Sequence, residues 1–540
     1  MSAPDLLQCL RAQDPDSPAL SLLTGLHEEF RWTYRQLLEA ACGFRAALQG
    51  LGAGPGSYVC LIADNSPQFI GLFLACLEAG CCFVPLHPDH NGLTITGILR
   101  ELRPALVIVD EELPESLLQI VLSEARRTWR LRLTRRPSLR AVVTLAHRRQ
   151  ADCVKDAAVQ IAEQPQPATV DQLPVLLLHS SGSTGAPKVI LYTRARLNMF
   201  LHWQRRLFTA FPDDPADLLP SPRINALPLA HFGGLSFVLQ ALLDGRTVHL
   251  PRAIAPYDYL ALATRESCHL LMLVPALYEA LLRDAPAPPR NSSLRYCLTM
   301  GEAVTPQLVA IISDALDVRV YSAYGMSEGL SGLSHHGVDI PANSCGRHLF
   351  GELRLVADPE QAIRRGDSKG DTTAGSADEG ELWVRNATTF PCYRAAELNA
   401  QKFIDGWYRT GDRFRRDLQG NHYFLGRIDA MCVVNGRNVY PAELEQVFLQ
   451  HAEVSDCMAA VMALDKGRRR LGVLICLCPG SGLTPAALVD WFLVHGALHA
   501  TPAWLVLGKG IPRNAAGKRD RLAVAALLQQ DYQHCLRKVS

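Results

Sequence analysis

"VLLLHSSGSTGAPKVI" occupies Val175–Ile190, and its reading decides the fold. A strand-like apolar run, Val175–His179, leads directly into a polar segment. That segment holds Gly182 and Gly185 with the hydroxyl residues Ser180, Ser181, Ser183 and Thr184, and it closes on Pro187 and Lys188. Backbone N–H groups in a glycine-permitted turn form a concavity for anions, and hydroxyls add donors. A Walker A loop is excluded. In G-x-x-x-x-G-K-S/T the lysine follows glycine and precedes a magnesium-binding hydroxyl. Here Lys188 follows Pro187 and precedes Val189. Taken alone, the stretch stays open between a phosphate cradle and a polar turn.

Upstream, helical and strand-like pieces alternate. "TYRQLLEAACGFRAALQGLG" (Thr33–Gly52) is amphipathic and ends in glycine, and "SYVCLIAD" (Ser57–Asp64) is a short apolar run. A helix around Phe69–Glu78, the strand "CCFVPL" (Cys81–Leu86), the helical "ITGILRELR" (Ile95–Arg103) and the strand "ALVIVD" (Ala105–Asp110) follow. Such alternation predicts an α/β fold with largely parallel strands. The run Phe69–Leu86 imitates a membrane span, near the ~18-residue threshold. Glu78 interrupts it, Gly80 sits at a helix-ending position and Pro85 closes it, so a buried helix running into a core strand is expected.

The chain has 540 residues, which predicts two or more domains. A net charge of +1 gives no global field to recruit nucleic acid or an anionic membrane. The 16 cysteines form no CxxC pair and no zinc spacing with histidine, so reduced, mostly buried thiols are expected. The N-terminus has no basic start followed by an apolar core, and a cytoplasmic location is expected. The arginine-rich piece Arg126–Arg149 reads as a solvated surface excursion. It lacks the interleaved aromatics of a single-strand nucleic-acid groove. Asp358–Gly380 reads as an exposed loop between the strands "ELRLVAD" and "ELWVRN". From Gly426 the pattern changes to a smaller α+β unit, with helices in "PAELEQVFLQHA" and "TPAALVDWFLVHG" and strands in "SDCMAAVMAL" and "LGVLICLC". A boundary near Asp429 divides the chain into residues 1–428 and 429–540.

The stretch Ser180–Val189 resembles the phosphate loop of the adenylate-forming superfamily, T-S-G-S/T-T-G-x-P-K-G. That group includes acyl- and aryl-CoA ligases, luciferases and the adenylation domains of peptide synthetases. Ser180 stands for the threonine, Ser181–Gly185, Pro187 and Lys188 match, and Val189 replaces a glycine. Further segments match in order. "ALPLAHFGGLS" resembles the family's histidine segment, with His231, and "LTMGEAV" its adenine-side turn, with Gly301, Glu302 and Ala303. "YSAYGMSEG" resembles Y-G-x-S/T-E, giving Tyr324, Gly325, Met326, Ser327 and Glu328. "YRTGDRFRRD" carries Asp412, "GRIDAMCVVNGRNVYPAELE" carries Arg427 and Gly436, and "IPRNAAGKRDR" carries Lys518.

The resemblance implies a large N-terminal domain of mixed and parallel sheets flanked by helices, with a small β-barrel-like subdomain. A small mobile C-terminal α+β domain would follow, turning about Asp429. It implies that a carboxylate attacks the α-phosphate of ATP to give an acyl-adenylate and pyrophosphate, and that a thiol then takes the acyl group. Such chemistry brings anions together and needs fixed positive charge and oriented donors. By resemblance, Ser180–Lys188 would hold the β- and γ-phosphates, with Lys188 subordinate to Lys518. Thr184 and Glu328 would lie near Mg²⁺. Tyr324 would stack on adenine, Ser327 would donate to the α-phosphate, and Asp412 would accept the ribose hydroxyls. Arg427 would contact ribose or phosphate. Lys518 would bridge the carboxylate and adenylate oxygens, and Gly436 would leave room for a pantetheine thiol.

Three departures stand out: Ala430 for a common acidic residue, Asn438 for a frequent arginine and Ser322 for a frequent asparagine. The segment Ile224–Leu243 has no acid before Asp244, so an amino-acid substrate is disfavoured, because a buried ammonium without a partner is costly. Phe232, Gly233, Gly234, Leu235, Thr299, Met300 and Met326 suggest an apolar pocket for an aryl or acyl acid. The acceptor that the resemblance implies is coenzyme A, or the phosphopantetheine of a separate acyl carrier protein. Retention of Lys518, Glu328 and Asp412 speaks against a nucleotide-binding relative without catalysis.

Overall fold

The structure is a computed structural model. It describes residues 5–88, 92–110, 114, 116–121, 129–136, 139–147, 173–180, 188–209, 221–284, 293–301, 304–335, 340–359, 378–386, 388, 392–428, 432–434, 437–439, 441–463, 469–496, 501–513 and 519–539.

Strands β1 (Pro18–Thr24) and β2 (His27–Thr33) pair antiparallel. Helix α1 (Tyr34–Gly50) begins in a capping box between Thr33 and Gln36. Then β3 (Tyr58–Ile62), α2 (Pro67–Ala79), β4 (Cys82–Leu86), α3 (Gly92–Leu102) and β5 (Leu106–Val109) follow the expected alternation. Ser66 caps α2 and Gly80, at φ +69°, ends it. The run that imitates a membrane span is thus a core helix and a core strand. Among the described residues no helix is long and apolar enough to cross a membrane. Cys60 and Ile62 face one core with Val84 and Leu86, while Val59 and Leu61 face another with Phe83 and Ile108. Both faces are covered, which is why these strands read as unbroken apolar runs.

The described part of the arginine-rich stretch is a β-hairpin. Strands β6 (Trp129–Arg136) and β7 (Leu139–His147) pair with Trp129 opposite His147. Strand β8 (Pro174–Ser180) joins β4 in parallel, and β9 (Lys188–Thr193) pairs antiparallel with β8. Helices α4 (Arg194–Thr209) and α5 (Phe232–Leu243) follow, and β10 (Val248–Arg252) returns to lie parallel to β1. A second parallel sheet has the order β11 (Leu270–Leu273), β12 (Tyr296–Met300), β13 (Arg319–Ala323), with α6 (Pro306–Leu316) as the last crossover. The short hairpin β14 (Gly325–Met326) and β15 (Gly329–Leu330) places Ser327 and Glu328 in its turn.

An antiparallel sheet comes next, built on β16 (Glu352–Val356) and β17 (Glu379–Arg385), the two strands expected around the polar loop. Strand β18 (Cys392–Tyr393) extends the first sheet beside β9, and α7 (Ala396–Lys402) follows it. Strand β19 (Trp407–Arg416) pairs with β17 and with β20 (His422–Arg427).

Towards the C-terminus lie α8 (Pro441–Phe448), β21 (Val454–Ala463), β22 (Arg469–Leu477), α9 (Pro485–His495), β23 (Trp504–Gly508) and α10 (Arg521–Val539). Cys457, Val473 and Ile475 pack on Phe448 and Phe492 of α8 and α9. Their sequence neighbours Met458, Leu474 and Cys476 pack on Val524 and Leu528 of α10. Period-two alternation thus feeds two helical layers from one sheet. The cysteines whose side chains are described are free and mostly buried, as expected.

Candidate functional site

The register of β8 and β9 sets Ser180 opposite Lys188 and His179 opposite Val189. Ser181, Gly182, Ser183, Thr184 and Gly185 lie between them, outside the described residues. Val189, the departure from the loop signature, is 8% exposed and packs in the core with Leu177 and Leu191. It is a strand residue, and a β-branched side chain suits that place.

Three separate motifs meet beyond the end of β13. The Tyr324 hydroxyl donates to Asp412 Oδ2 at 2.5 Å. Its ring packs edge-on to Phe414, at 4.8 Å between centroids, and lies nearly parallel to Phe424 at 6.4 Å. Asp412, on β19, is 7% exposed, and Arg427 stands directly opposite it on β20, with Nη1 3.1 Å from Oδ1. Burial, then the Asp412 carboxylate, pushes the Tyr324 hydroxyl well above its usual range, so it stays a donor. A carboxylate held from both sides keeps its oxygens fixed, as recognition of a diol requires.

Glu328 sits in the turn of the β14–β15 hairpin and accepts the Tyr393 hydroxyl at 2.7 Å. The Tyr393 and Tyr408 hydroxyls are 2.9 Å apart. Tyr192, on β9, donates to the Ser327 carbonyl at 2.8 Å, which ties the strand after the loop to the hairpin. Gly301 follows β12 at φ +88°, a left-handed conformation that favours glycine. Glu302, Ala303, Asp429, Gly436 and Lys518 lie outside the described residues.

His231 is the N-cap residue of α5 without a capping side-chain bond. Its ring lies nearly parallel to His87, 6.4 Å away, and His87 Nε2 is 3.9 Å from Asp64 Oδ1. Among the expected pocket residues, Phe232 packs between Tyr192 and Phe200 at 4.7 and 4.5 Å, and Leu235 is fully buried. Both belong to the core. A Cβ on Gly234 would lie 2.5 Å from the Pro228 carbonyl oxygen, so this glycine serves close helix-to-loop packing. Met300 and Leu227 instead pack with Phe237, Met272 and Tyr321. Asp244 is committed to Arg205 at 2.6 Å and Arg246 at 3.3 Å.

Lys402, at the end of α7, was not legible in the sequence. A Cβ on Gly411 would lie 3.1 Å from its Nζ and 3.4 Å from Arg427 Nη2. Burial, then Lys188 and Arg427, holds the Lys402 ammonium below the usual lysine range. No motif marks Lys402, Tyr393 or His87; only the folded chain brings them to the site. Among the described residues no group of three or more His, Cys, Asp or Glu could hold a metal.

A family model described as AMP-binding enzyme matches residues 8–394. A ligase of Mycobacterium tuberculosis that joins coenzyme A to a methyl-dioxo-octahydro-indenyl propanoyl group is 29% identical, over 96% of this chain and 97% of its own length. A salicyl-AMP ligase / salicyl-S-ArCP synthetase of the same organism is 28% identical, over 92% of this chain and 85% of its own. Among solved structures, the anthranilate CoA ligase AuaEII in complex with anthranoyl-AMP superposes with a TM-score of 0.76 at 21% identity, covering 99% of each chain. This similarity extends the likeness of fold over the residues beyond 394.

Proposed function

The chain belongs to the AMP-binding enzyme family, and on that premise we propose that it activates a hydrophobic carboxylic acid with ATP and passes the acyl group to a thiol. A carboxylate oxygen attacks the α-phosphorus, the bond to the bridging oxygen breaks, and pyrophosphate leaves with an acyl-adenylate formed. The thiol then attacks the acyl carbon and AMP departs. The observation that carries this reading is the convergence of Tyr324, Asp412 and Arg427 from three distant motifs.

In this reading Asp412 accepts the ribose hydroxyls while Tyr324 and Arg427 hold it, and Tyr324 lies against the adenine beside the Gly301–Ala303 turn. Ser180–Lys188 carry the β- and γ-phosphates, and Ser327 donates to the α-phosphate. Thr184 and Glu328 offer a hydroxyl and a carboxylate, oxygen donors that fit Mg²⁺ shared with phosphates. They would hold that ion, which neutralises phosphate charge when bound. Residues 1–428 form the nucleotide and acid sites, and residues 429–540 turn about Asp429. One orientation brings Lys518 to the reacting oxygens, and the other brings Gly436 to a thiol tunnel. His231, just after the acid pocket begins, is counted with Lys518, Thr184 and Glu328 among the catalytic residues.

The acid is aryl or fatty rather than an amino acid. Asp244 supports this, since both its arginine partners already engage it and it offers no free charge to an ammonium. Coenzyme A is the acceptor, and the placement is cytoplasmic. The second reading, loading a separate carrier protein, is favoured by the salicyl-S-ArCP synthetase relative. The test is carboxylate-dependent exchange of labelled pyrophosphate into ATP across aryl, short and long aliphatic acids. Exchange with at least one acid is expected, and none across the panel would sink the reading. Thioester formation with free coenzyme A against a holo-carrier then separates the two acceptors.

A further inference from the structure

The carboxylates around the Gly411–Asp412 turn are already engaged. Asp412 is held by Tyr324 and Arg427. Glu381 accepts from Trp383 Nε1 at 2.9 Å and from the Gly411 N–H at 3.0 Å, and pairs with Arg409 at 3.2 Å. Glu328 accepts from Tyr393. Lys402 stands among them, half-buried, and no carboxylate among the described residues lies within ion-pair distance of it. Its Nζ and the Arg427 guanidinium flank the same turn, each within reach of where a Gly411 side chain would be. A side chain there would crowd both cations, so the glycine lets them approach the turn closely, and Lys188 at the foot of the phosphate loop also acts on Lys402.

Three cations thus act on one region, with the charges of Glu381 and Glu328 also reaching Lys402, and among the described residues only Arg427 of the three has a carboxylate within ion-pair distance. Gathering like charges in a half-buried place is costly unless an anion joins them. Lys402 stands beside Gly411, next to the carboxylate proposed for ribose, and is acted on by Lys188, at the foot of the loop proposed for the outer phosphates; a polyanion that would engage both is a triphosphate. We propose that Lys402 is a nucleotide-binding residue whose ammonium contacts the phosphates of ATP, beside Lys188 and Arg427. The proposal rests on the adenylation reading and adds a residue to its phosphate contacts. Lys402 also ends α7, where a cation favours the helix dipole. That purely structural role would change stability but not nucleotide affinity.

The test uses the full chain with Lys402→Met, which keeps the aliphatic stem packed, and Lys402→Arg. Calorimetry with α,β-methylene-ATP reads binding directly, at a temperature well below each variant's unfolding midpoint. Pyrophosphate exchange gives KM for ATP and for the acid, and the complete reaction gives KM for coenzyme A. Loss of one charged contact predicts an increase of about tenfold or more in Kd and KM for ATP in Lys402→Met, with KM for the acid and coenzyme A unchanged. Lys402→Arg should restore most of the loss. Unchanged affinity for the ATP analogue in Lys402→Met overturns the proposal, as does a rise confined to KM for coenzyme A. If the unaltered enzyme exchanges with no acid, the adenylation reading fails, and direct binding of the analogue still decides the role of Lys402.

Discussion

Tyr324 and Arg427 hold Asp412 from two sides, so its charge and its geometry can be separated by substitution. Asp412→Asn keeps the shape and removes the charge that pairs with Arg427. KM for ATP in pyrophosphate exchange should rise about tenfold to a hundredfold, as expected for loss of charge-assisted bonds. KM for the acid should hold. As a candidate, Asp412 was legible because T-G-D is a local signature. Lys402 and His87 were not, since their meaning comes from chain segments that meet only on folding. His422 adds a pH dependence. Burial, then Arg416, pushes its imidazole down to about 4 from 6.5, with His348 also near. The folded protein keeps this ring neutral, while the unfolded chain takes up a proton below pH 6.5. Its stabilising contribution is therefore complete above pH 6.5 and is lost as pH falls towards 4, by about 3 kcal/mol in all. Urea unfolding from pH 7 to pH 4 should show this decline, and His422→Gln should make it shallower, leaving the part due to His249, which burial also pushes down to about 4.

Helix α5 shows how packing places a residue proposed for function. Its first turn rests Gly234 against the Pro228 carbonyl, and the same turn begins at His231. Gly234→Ala puts a methyl where only 2.5 Å separates it from backbone oxygen. Overpacking of that kind should destabilise the protein by about 1–3 kcal/mol, read as a lower urea midpoint. KM for the acid should change more than KM for ATP. Element identity was largely readable, because strands β3 to β5 are buried on both faces and α1 and α2 carry clear caps. The roles of residues within α5 were less readable. Glycine, phenylalanine and leucine after a histidine suit a pocket wall and a core equally, and only the neighbours Tyr192 and Phe200 assign Phe232 to the core. In the arginine-rich stretch, the alternation of arginine with leucine and threonine is a strand pattern that the charge obscured.

At the scale of the whole molecule, the reaction is proposed to divide between a large and a small part of the chain. Lys518→Ala should abolish adenylate formation, measured as pyrophosphate exchange, while thioester formation from supplied acyl-AMP largely survives. Equal loss of both steps would contradict the two-orientation account. Strands β21 and β22 were legible as apolar runs, because they are buried on both faces, between Phe492 of α9 and Leu528 of α10. The ladder that sets Ser180 opposite Lys188 has a consequence for how such a protein changes over generations. The seven residues between them are a cartridge, clamped at both ends by paired strands. A slip of one residue would turn Val189 and Leu191 out of the core, so the ladder resists it. On the proposed role of these residues, variation among them would alter how phosphate is handled while the paired strands keep their register, so that catalytic tempo and structural inheritance would drift independently.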